Sequence, residues 1–313
     1  GGIEKGIRQR LEGLSYTMGS QGLLPDERLA DWVIVAARGT QTTAQSPSDA
    51  LLVVAHGARR AGWNDRVVRM MDRVDWPSPK GVAFLTTSSP EQSLANVAAR
   101  LDQPGVNRII VVPLFVSSFS DHYEEIRYYA GERTEAPAHV HGEPLKTRAK
   151  LILTGGMDDD ALLARILADQ ARSISTDPNG ESLVLVAHGP NGDSDNERWL
   201  ACLKAHATYL QQSVGFRRVW FITLRDDSPK AVRDAATAAL REKVRADSMD
   251  TKVLVVPVLV SLGRVQSEIK KRLEGLAFRM SASGIADHPL AAEWIRQQGA
   301  RAGPRVTQPA TKR

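Results

Sequence analysis

The sequence predicts an α/β protein built from two tandem modules, each containing a doubly wound parallel sheet. Apolar runs of strand length alternate with segments of helical period along most of the chain, which is the pattern of parallel sheets covered by helices on both faces. The strand runs are continuously apolar, as expected for strands buried on both sides. A length of 313 residues suits about two domains, and the pattern occurs twice.

A long internal repeat defines the two modules. The segment at 51–57, LLVVAHG, returns at 183–189 as LVLVAHG. The segment at 108–117, RIIVVPLFVS, returns at 252–261 as KVLVVPVLVS. The two copies of the first segment start 132 residues apart (183 − 51), which is the size of a domain. We therefore predict modules at 50–178 and 180–300.

The two ends of the sequence differ from these modules. Residues 1–33 align without a gap with 263–295, so we interpret 1–38 as a helical remnant of a further module. We favour a sequence that is a piece of a longer protein; the alternative is a helical pair that docks onto the complete modules. Residues 39–49 are rich in Thr, Gln and Ser and predict a linker, and 301–313 form a basic tail.

The elements of both modules follow from the apolar periodicity. In the first module we expect strands at 51–55, 81–85 and 108–116, a further short strand near 138–140, and helices at 62–74, 91–101, 121–132 and 158–172. In the second module we expect strands at 182–187, 217–223 and 252–260, and helices near 195–213, 228–244, 264–275 and 287–298.

Composition excludes several classes of protein. The single cysteine, Cys202, excludes an intramolecular disulfide and a Cys-based zinc or iron–sulfur site. No apolar run approaches the roughly 20 residues of a membrane span, and no signal peptide opens the sequence, so we expect a cytoplasmic protein without a membrane partner. A net charge of +5 and 5% aromatic residues argue against nucleic-acid binding. The motifs of α/β-hydrolases and of nucleotide-binding loops do not occur, and no organic cofactor is expected.

Two histidines follow strands at the edge where such sheets bind ligands. His56 directly follows the first strand, and His122 lies six residues beyond the third, in the first turn of a helix that we expect Asp121 to cap. In a flavodoxin-like strand order the first and third strands are neighbours, so the two imidazoles would face one gap. With Glu124 or Glu125 they form an open ligand set for Co²⁺, Ni²⁺ or Fe²⁺, suited to an ion that is passed on.

Other histidines favour structural interpretations. A single histidine after a strand is more often a hydrogen-bonded structural residue than a ligand, although two at matching strand ends are harder to explain in that way. His139 and His141 alternate near Glu143 and predict either a second metal site or an exposed edge strand, of which we favour the strand. We expect His206 and His288 to lie at the surface.

The segments VVAHGAR at 53–59 and VVPLFVSS at 111–118, with His122 beyond them, resemble those of the class II tetrapyrrole chelatases. The nearest members are the sirohydrochlorin chelatases. This resemblance implies a chelatase-like fold and a metal-inserting lyase that works without ATP, in cobalamin or siroheme biosynthesis. Its substrates would be an anionic tetrapyrrole, sirohydrochlorin, and a divalent metal, with cobalt favoured and iron or nickel as alternatives.

The resemblance also implies roles for individual residues. His56 and His122 would bind the metal and accept the pyrrole protons, assisted by Glu124 or Glu125. The residues expected to contact the substrate are Arg59, Arg60, Arg127, Ser117 and Ser118. The arginines suit the ring's carboxylates because such contacts are charge-assisted.

The sequence departs from the family's pattern at several positions. Ala58 stands where the family often has Ser, and Thr86 stands where it has an acid, so a non-catalytic tetrapyrrole- or metal-binding protein is the alternative function. The second module keeps His188 but has no counterpart of His122, and we predict that it closes the groove without catalysing the reaction. Asp226 and Asp227 would cap the next helix or face the cleft, and we favour the cap. The sequence does not predict an oligomeric state.

Overall fold

A computed structural model of the protein describes residues 49–59, 62–140 and 142–302. These residues all belong to one compact unit, Thr43–Arg313. The predicted remnant at 1–38, most of the linker, Arg60, His141 and most of the basic tail lie outside the described residues. The linker was predicted one residue too long, because its last residue, Asp49, begins the first strand.

The first half of the described chain forms a four-stranded parallel sheet with helices between its strands. In chain order its elements are β1 (Asp49–Gly57), α1 (Trp63–Asp72), β2 (Lys80–Thr86), α2 (Leu94–Leu101), β3 (Arg108–Pro113), α3 (Asp121–Tyr129), β4 (Lys150–Leu153) and α4 (Ala161–Ile174). The strand order is β2-β1-β3-β4. The parallel sheet and the flavodoxin-like order are thus confirmed.

The second half repeats this arrangement. Its elements are β5 (Glu181–Ala187), α5 (Asp193–Val214), β6 (Arg218–Thr223), α6 (Lys230–Asp247), β7 (Lys252–Val258), α7 (Arg264–Arg272), β8 (Arg279–Met280) and α8 (Pro289–Arg301). Its strand order is β6-β5-β7-β8. The strand expected near 138–140 is wrong: residues 138 and 139 form a turn, and the fourth strand of the first half lies at 150–153.

The central strands are buried on both faces, as their continuous apolar character predicts. Along β1, Leu51, Val53 and Ala55 point into one hydrophobic core. The intervening residues point into a second core on the other face of the sheet. Because successive side chains of a strand alternate between faces, both faces of β1 need apolar residues.

The last helix of each half packs against the other half. Helix α4 contacts β7 and α5, and helix α8 contacts β3 and α1. One hydrophobic core accordingly contains residues from both sheets, including Leu51 of β1 and Leu185 of β5. The two halves therefore share a core rather than forming two separate ones, as the repeat alone had suggested.

Hydrogen bonds also join the halves next to the ends of the strands. The Trp63 indole donates to the Ser261 carbonyl at 3.1 Å, and the Trp199 indole donates to the Phe119 carbonyl at 2.6 Å. These bonds fix the loop after β3 and the loop after β7 against helices of the opposite half. Among the described residues, no helix has the length and apolar character needed to cross a membrane.

Candidate metal and tetrapyrrole site

Two histidines from distant parts of the sequence meet at the carboxyl ends of β1 and β3. These strands are hydrogen-bonded neighbours, with Val54 in register with Pro113. His56 is the half-buried, next-to-last residue of β1, and His122 lies in the first turn of α3. Their ring centroids lie 4.4 Å apart with an interplanar angle of 69°. The fold thus brings together the pair that the sequence singled out.

The glycine after His56 is required by the backbone. Gly57 has a φ of +77°, a conformation that residues with a Cβ rarely adopt. A Cβ built on Gly57 would lie 2.1 Å from the Thr86 carbonyl oxygen and 2.6 Å from Phe84 Cβ. Only glycine therefore lets β1 turn this close to β2, and that turn sets the position of the His56 ring.

Helix α3 begins differently from the prediction. Its N-cap is Ser120, whose Oγ accepts a hydrogen bond from the Tyr123 amide at 3.2 Å. The expectation that Asp121 caps the helix is wrong, because Asp121 is its first helical residue and accepts a hydrogen bond from Asn191 of the second half at 3.1 Å. This start places His122 at the gap between the strand ends.

The two candidate carboxylates have different partners. Glu125 Oε2 lies 3.3 Å from Nδ1 of His122. Glu124 instead forms ion pairs with Arg127 at 3.1 Å and with Arg133 at 2.9 Å. Of the two acids that the sequence left open, Glu125 is therefore the one in contact with a histidine of the pair.

A third imidazole adjoins this carboxylate. His139 Nε2 lies 3.7 Å from Glu125 Oε2, and the rings of His139 and His122 have centroids 6.2 Å apart. His122, Glu125 and His139 each offer one ligand atom, and these three atoms lie within 4.8 Å of one another. From the sequence we favoured an edge strand for His139, which did not connect it with His122 and Glu125. The alternative, a second metal site, was based on its alternation with His141 near Glu143.

The electrostatic surroundings keep His56 neutral. Burial is the main cause that lowers the pKa of His56, and the neighbouring His122 lowers it further. Nδ1 lies 2.7 Å from the Gly57 carbonyl, to which the neutral ring donates its N–H. The lone pair then lies on Nε2, so His56 can bind a cation or accept a proton near neutral pH.

The residues predicted to contact the substrate differ in whether they already have partners within the protein. Arg59 is exposed after β1, whereas the Arg127 guanidinium is paired with Glu124, whose hydrogen bond raises the pKa of Arg127. The Ser117 and Ser118 hydroxyls both donate to the Asp158 carboxylate, at 3.1 and 2.6 Å. Arg127, Ser117 and Ser118 therefore have partners within the protein, which weakens their assignment as substrate contacts.

The second half places one histidine at the equivalent strand end. His188 Nδ1 lies 2.9 Å from the Gly189 carbonyl, and Nε2 lies 3.5 Å from Asp227. Asp226 is ion-paired with Arg272, and Pro229 is the residue before α6. The favoured cap is therefore wrong for both aspartates. His188 also contributes to the lowered pKa of His56, so the two strand ends influence each other electrostatically.

The remaining histidines have structural partners. The expectation that His206 lies at the surface is wrong, because it is 1% exposed and its Nε2 lies 2.8 Å from the Asp158 carbonyl of the other half. His288 is partly exposed and caps α8 by accepting a hydrogen bond from the Leu290 amide. Neither histidine is in the cluster around Glu125.

Comparisons with known proteins agree with this fold. Residues 50–174 match the model of the CbiX family. No curated protein matches the chain in sequence. Among solved structures, SirB from Bacillus subtilis with Fe³⁺ gives a TM-score of 0.62 at 18% identity, over 82% of this chain and 96% of SirB.

Two further structures are similar. The sirohydrochlorin chelatase SirB from Bacillus subtilis subspecies spizizenii in complex with cobalt gives a TM-score of 0.58 at 17% identity, over 82% of this chain and 95% of that one. A multi-domain protein of Deinococcus radiodurans with structural similarity to chelatases gives 0.57 at 20% identity, over 82% of this chain and 55% of that one. At these identities the likeness describes the fold. Residues 50–174 thus match the CbiX family model, within a chain whose fold resembles that of the SirB chelatases.

Proposed function

We propose that this protein inserts a divalent metal, with cobalt favoured, into sirohydrochlorin without ATP. The observation that carries this proposal is the contact between the His56 and His122 rings, at 4.4 Å between centroids. Two imidazoles beside a carboxylate bind borderline divalent ions through few ligands. A metal held in this way can be released into a macrocycle, whereas a closed four-ligand site would retain it.

The residues divide the work as follows. His56 is neutral near pH 7 because its pKa is lowered by burial and by His122, and its Nε2 presents a lone pair to the cation or to a pyrrole proton. His122 is oriented by Glu125, whose Oε2 lies 3.3 Å from His122 Nδ1. The pair thus supplies weak metal ligands and acceptors for the two protons that the ring nitrogens lose.

The tetrapyrrole's carboxylates require cations at the edges of the groove. Arg59 is exposed two residues beyond Gly57 and suits this role, since an arginine–carboxylate contact is charge-assisted. The second half supplies the opposite wall through the loop after β5, which carries His188. We assign this half to closing the groove, because its segment 261–268, which corresponds to 117–124 of the first half, contains no histidine.

An anaerobic absorbance assay tests the proposal. The full chain is mixed with sirohydrochlorin and Co²⁺, Fe²⁺ or Ni²⁺ in separate experiments, and each initial rate is compared with that of the same mixture without protein. Acceleration that is greatest with Co²⁺ supports the proposal. Acceleration that is greatest with another ion changes the metal but keeps the reaction.

Binding without acceleration would instead support the alternative, a non-catalytic tetrapyrrole- or metal-binding protein. Tetrapyrrole binding is measured separately from the shift of the free ring's absorption on adding protein without metal. This control distinguishes an inactive binder from a protein that does not recognise the ring.

A further inference from the structure

The Glu125 carboxylate lies between the imidazoles of His122 and His139. His139 has no role in the proposed His56–His122 pair. The same oxygen, Oε2, is 3.3 Å from His122 Nδ1 and 3.7 Å from His139 Nε2. Two ligands of one tetrahedral or octahedral ion, each about 2.1 Å from it, lie roughly 3.0–3.4 Å apart. The observed spacing therefore accommodates one cation after a small closing movement of His139.

The chemistry of the three donors selects the class of cation. Two imidazole nitrogens and one carboxylate oxygen form a ligand set that is typical of Fe²⁺, Co²⁺ and related ions, with further coordination positions open. A site for Ca²⁺ or Mg²⁺ would instead use oxygen donors throughout. The cluster thus fits the same class of ion as the proposed metal substrate.

The segment that carries His139 is held in place by its own contacts. Val140 is 8% exposed, and its amide donates to the Pro137 carbonyl at 2.9 Å. Further along, the Tyr128 hydroxyl donates to the Gly142 carbonyl at 3.1 Å, and the Leu145 amide donates to the Tyr129 carbonyl at 2.9 Å. These bonds anchor the segment to α3, the same helix that carries the other two ligands.

Two of the three donors are accessible to solvent. The side chains of His122 and His139 are 41% and 46% exposed, and that of Glu125 is 14% exposed. His122 belongs both to this cluster and to the His56–His122 pair, whose ring centroids lie 4.4 Å apart, so a cation bound by the cluster lies next to the pair.

We propose that His122, Glu125 and His139 form a loading site for a divalent cation, from which the metal passes to the His56–His122 pair. The passage step rests on the proposed function, whereas cation binding does not. His139 supplies a ligand from a segment outside the strand ends.

Co²⁺ binding to the full chain, measured without tetrapyrrole by anaerobic absorbance titration, tests this site. Loss of a hydrogen-bonded partner behind a metal ligand already costs 10–100-fold in affinity, so His139→Gln should weaken Co²⁺ binding by at least about tenfold. The matched control is Glu143→Gln in the same segment, since Glu143 is 76% exposed and paired with Lys146. This variant should bind Co²⁺ as the unmodified protein does.

A second variant separates this inference from the proposed function. His56→Ala should still bind one Co²⁺ through the loading site while losing metal insertion. Co²⁺ affinity in His139→Gln equal to that in Glu143→Gln would overturn the loading site, even if the unmodified protein inserts cobalt. If His139→Gln weakens binding but the unmodified protein does not accelerate insertion, the loading site stands and the proposed function fails.

Discussion

Gly299 of α8 lies directly against the indole of Trp76, where α8 packs against the first half. A Cβ added to Gly299 would lie 2.6 Å from two carbons of the six-membered ring and 3.2 Å from Leu51 Cδ1. Trp76 has little freedom to move, because it is 7% exposed and donates its indole N–H to the Asp49 carbonyl at 2.9 Å. The close approach of α8 therefore requires glycine at this position.

Gly299→Ala should destabilise the protein, although the same change inside an exposed helix stabilises by roughly 0.5–1 kcal/mol. Overpacking of a well-packed core costs about 1–3 kcal/mol, which exceeds that gain. Urea unfolding of both proteins measures the difference. Gly105→Ala is not a suitable control, because Gly105 has a φ of +89° and alanine would be strained there. Glu143→Gln, at an exposed position, is the control. A variant as stable as the unmodified protein would contradict the packing described for α8.

The contact of His206 with the first half predicts a pH dependence of stability. Burial lowers the pKa of His206, opposed by its hydrogen bond to the Asp158 carbonyl and by nearby carboxylates. The unfolded chain therefore takes up a proton near the ordinary pKa of about 6.5, while the folded protein does not. Because the unfolded state binds more protons in this range, the free energy of unfolding falls as the pH falls from about 7.

Unfolding by urea at several pH values between about 7 and 5 checks this dependence. His206→Gln should reduce the slope of the unfolding free energy against pH, although its stability at neutral pH should also fall through lost packing. An unchanged slope would show that His206 is not responsible. The slope is the informative quantity, because lost packing alone would lower the free energy of unfolding by the same amount at every pH.

The different partners of Glu124 and Glu125 predict unequal effects on activity. Glu125→Gln keeps the shape but removes the charge beside His122, so we expect about a 10–100-fold loss of metal-insertion activity. Glu124→Gln is the matched control on the same helix turn. It removes ion pairs with Arg127 and Arg133, which are half-exposed and worth little in water. Equal losses in the two variants would contradict the assignment of Glu125.

Much of this arrangement was predictable from the sequence for a physical reason. Continuously apolar strands and the repeat at 51–57 and 183–189 specify parallel sheets, and the strand order then brings His56 near His122. The two short edge strands, β4 and β8, were not predicted because four and two residues are too few for a periodicity to be recognised.

Other features depend on contacts that periodicity does not encode. The apolar face of α8 indicates that the helix is buried, but not that β3 of the other half covers it. His206 was expected at the surface because its partner, Asp158, lies 48 residues away. His139 was assigned to a strand because two alternating histidines resemble an edge, whereas a turn brings it to Glu125.

The most direct test is the initial rate of Co²⁺ insertion into sirohydrochlorin by His56→Ala, His122→Ala and His188→Ala, measured anaerobically against the unmodified protein. General acid–base groups contribute about 10²–10⁴-fold, so the first two variants should lose most of the rate enhancement while remaining folded. His188→Ala should lose much less, because His188 faces Asp227 in the half that has no counterpart of His122. Equal losses in all three variants, or full activity in His56→Ala and His122→Ala, would contradict the assignment of the reaction to this pair.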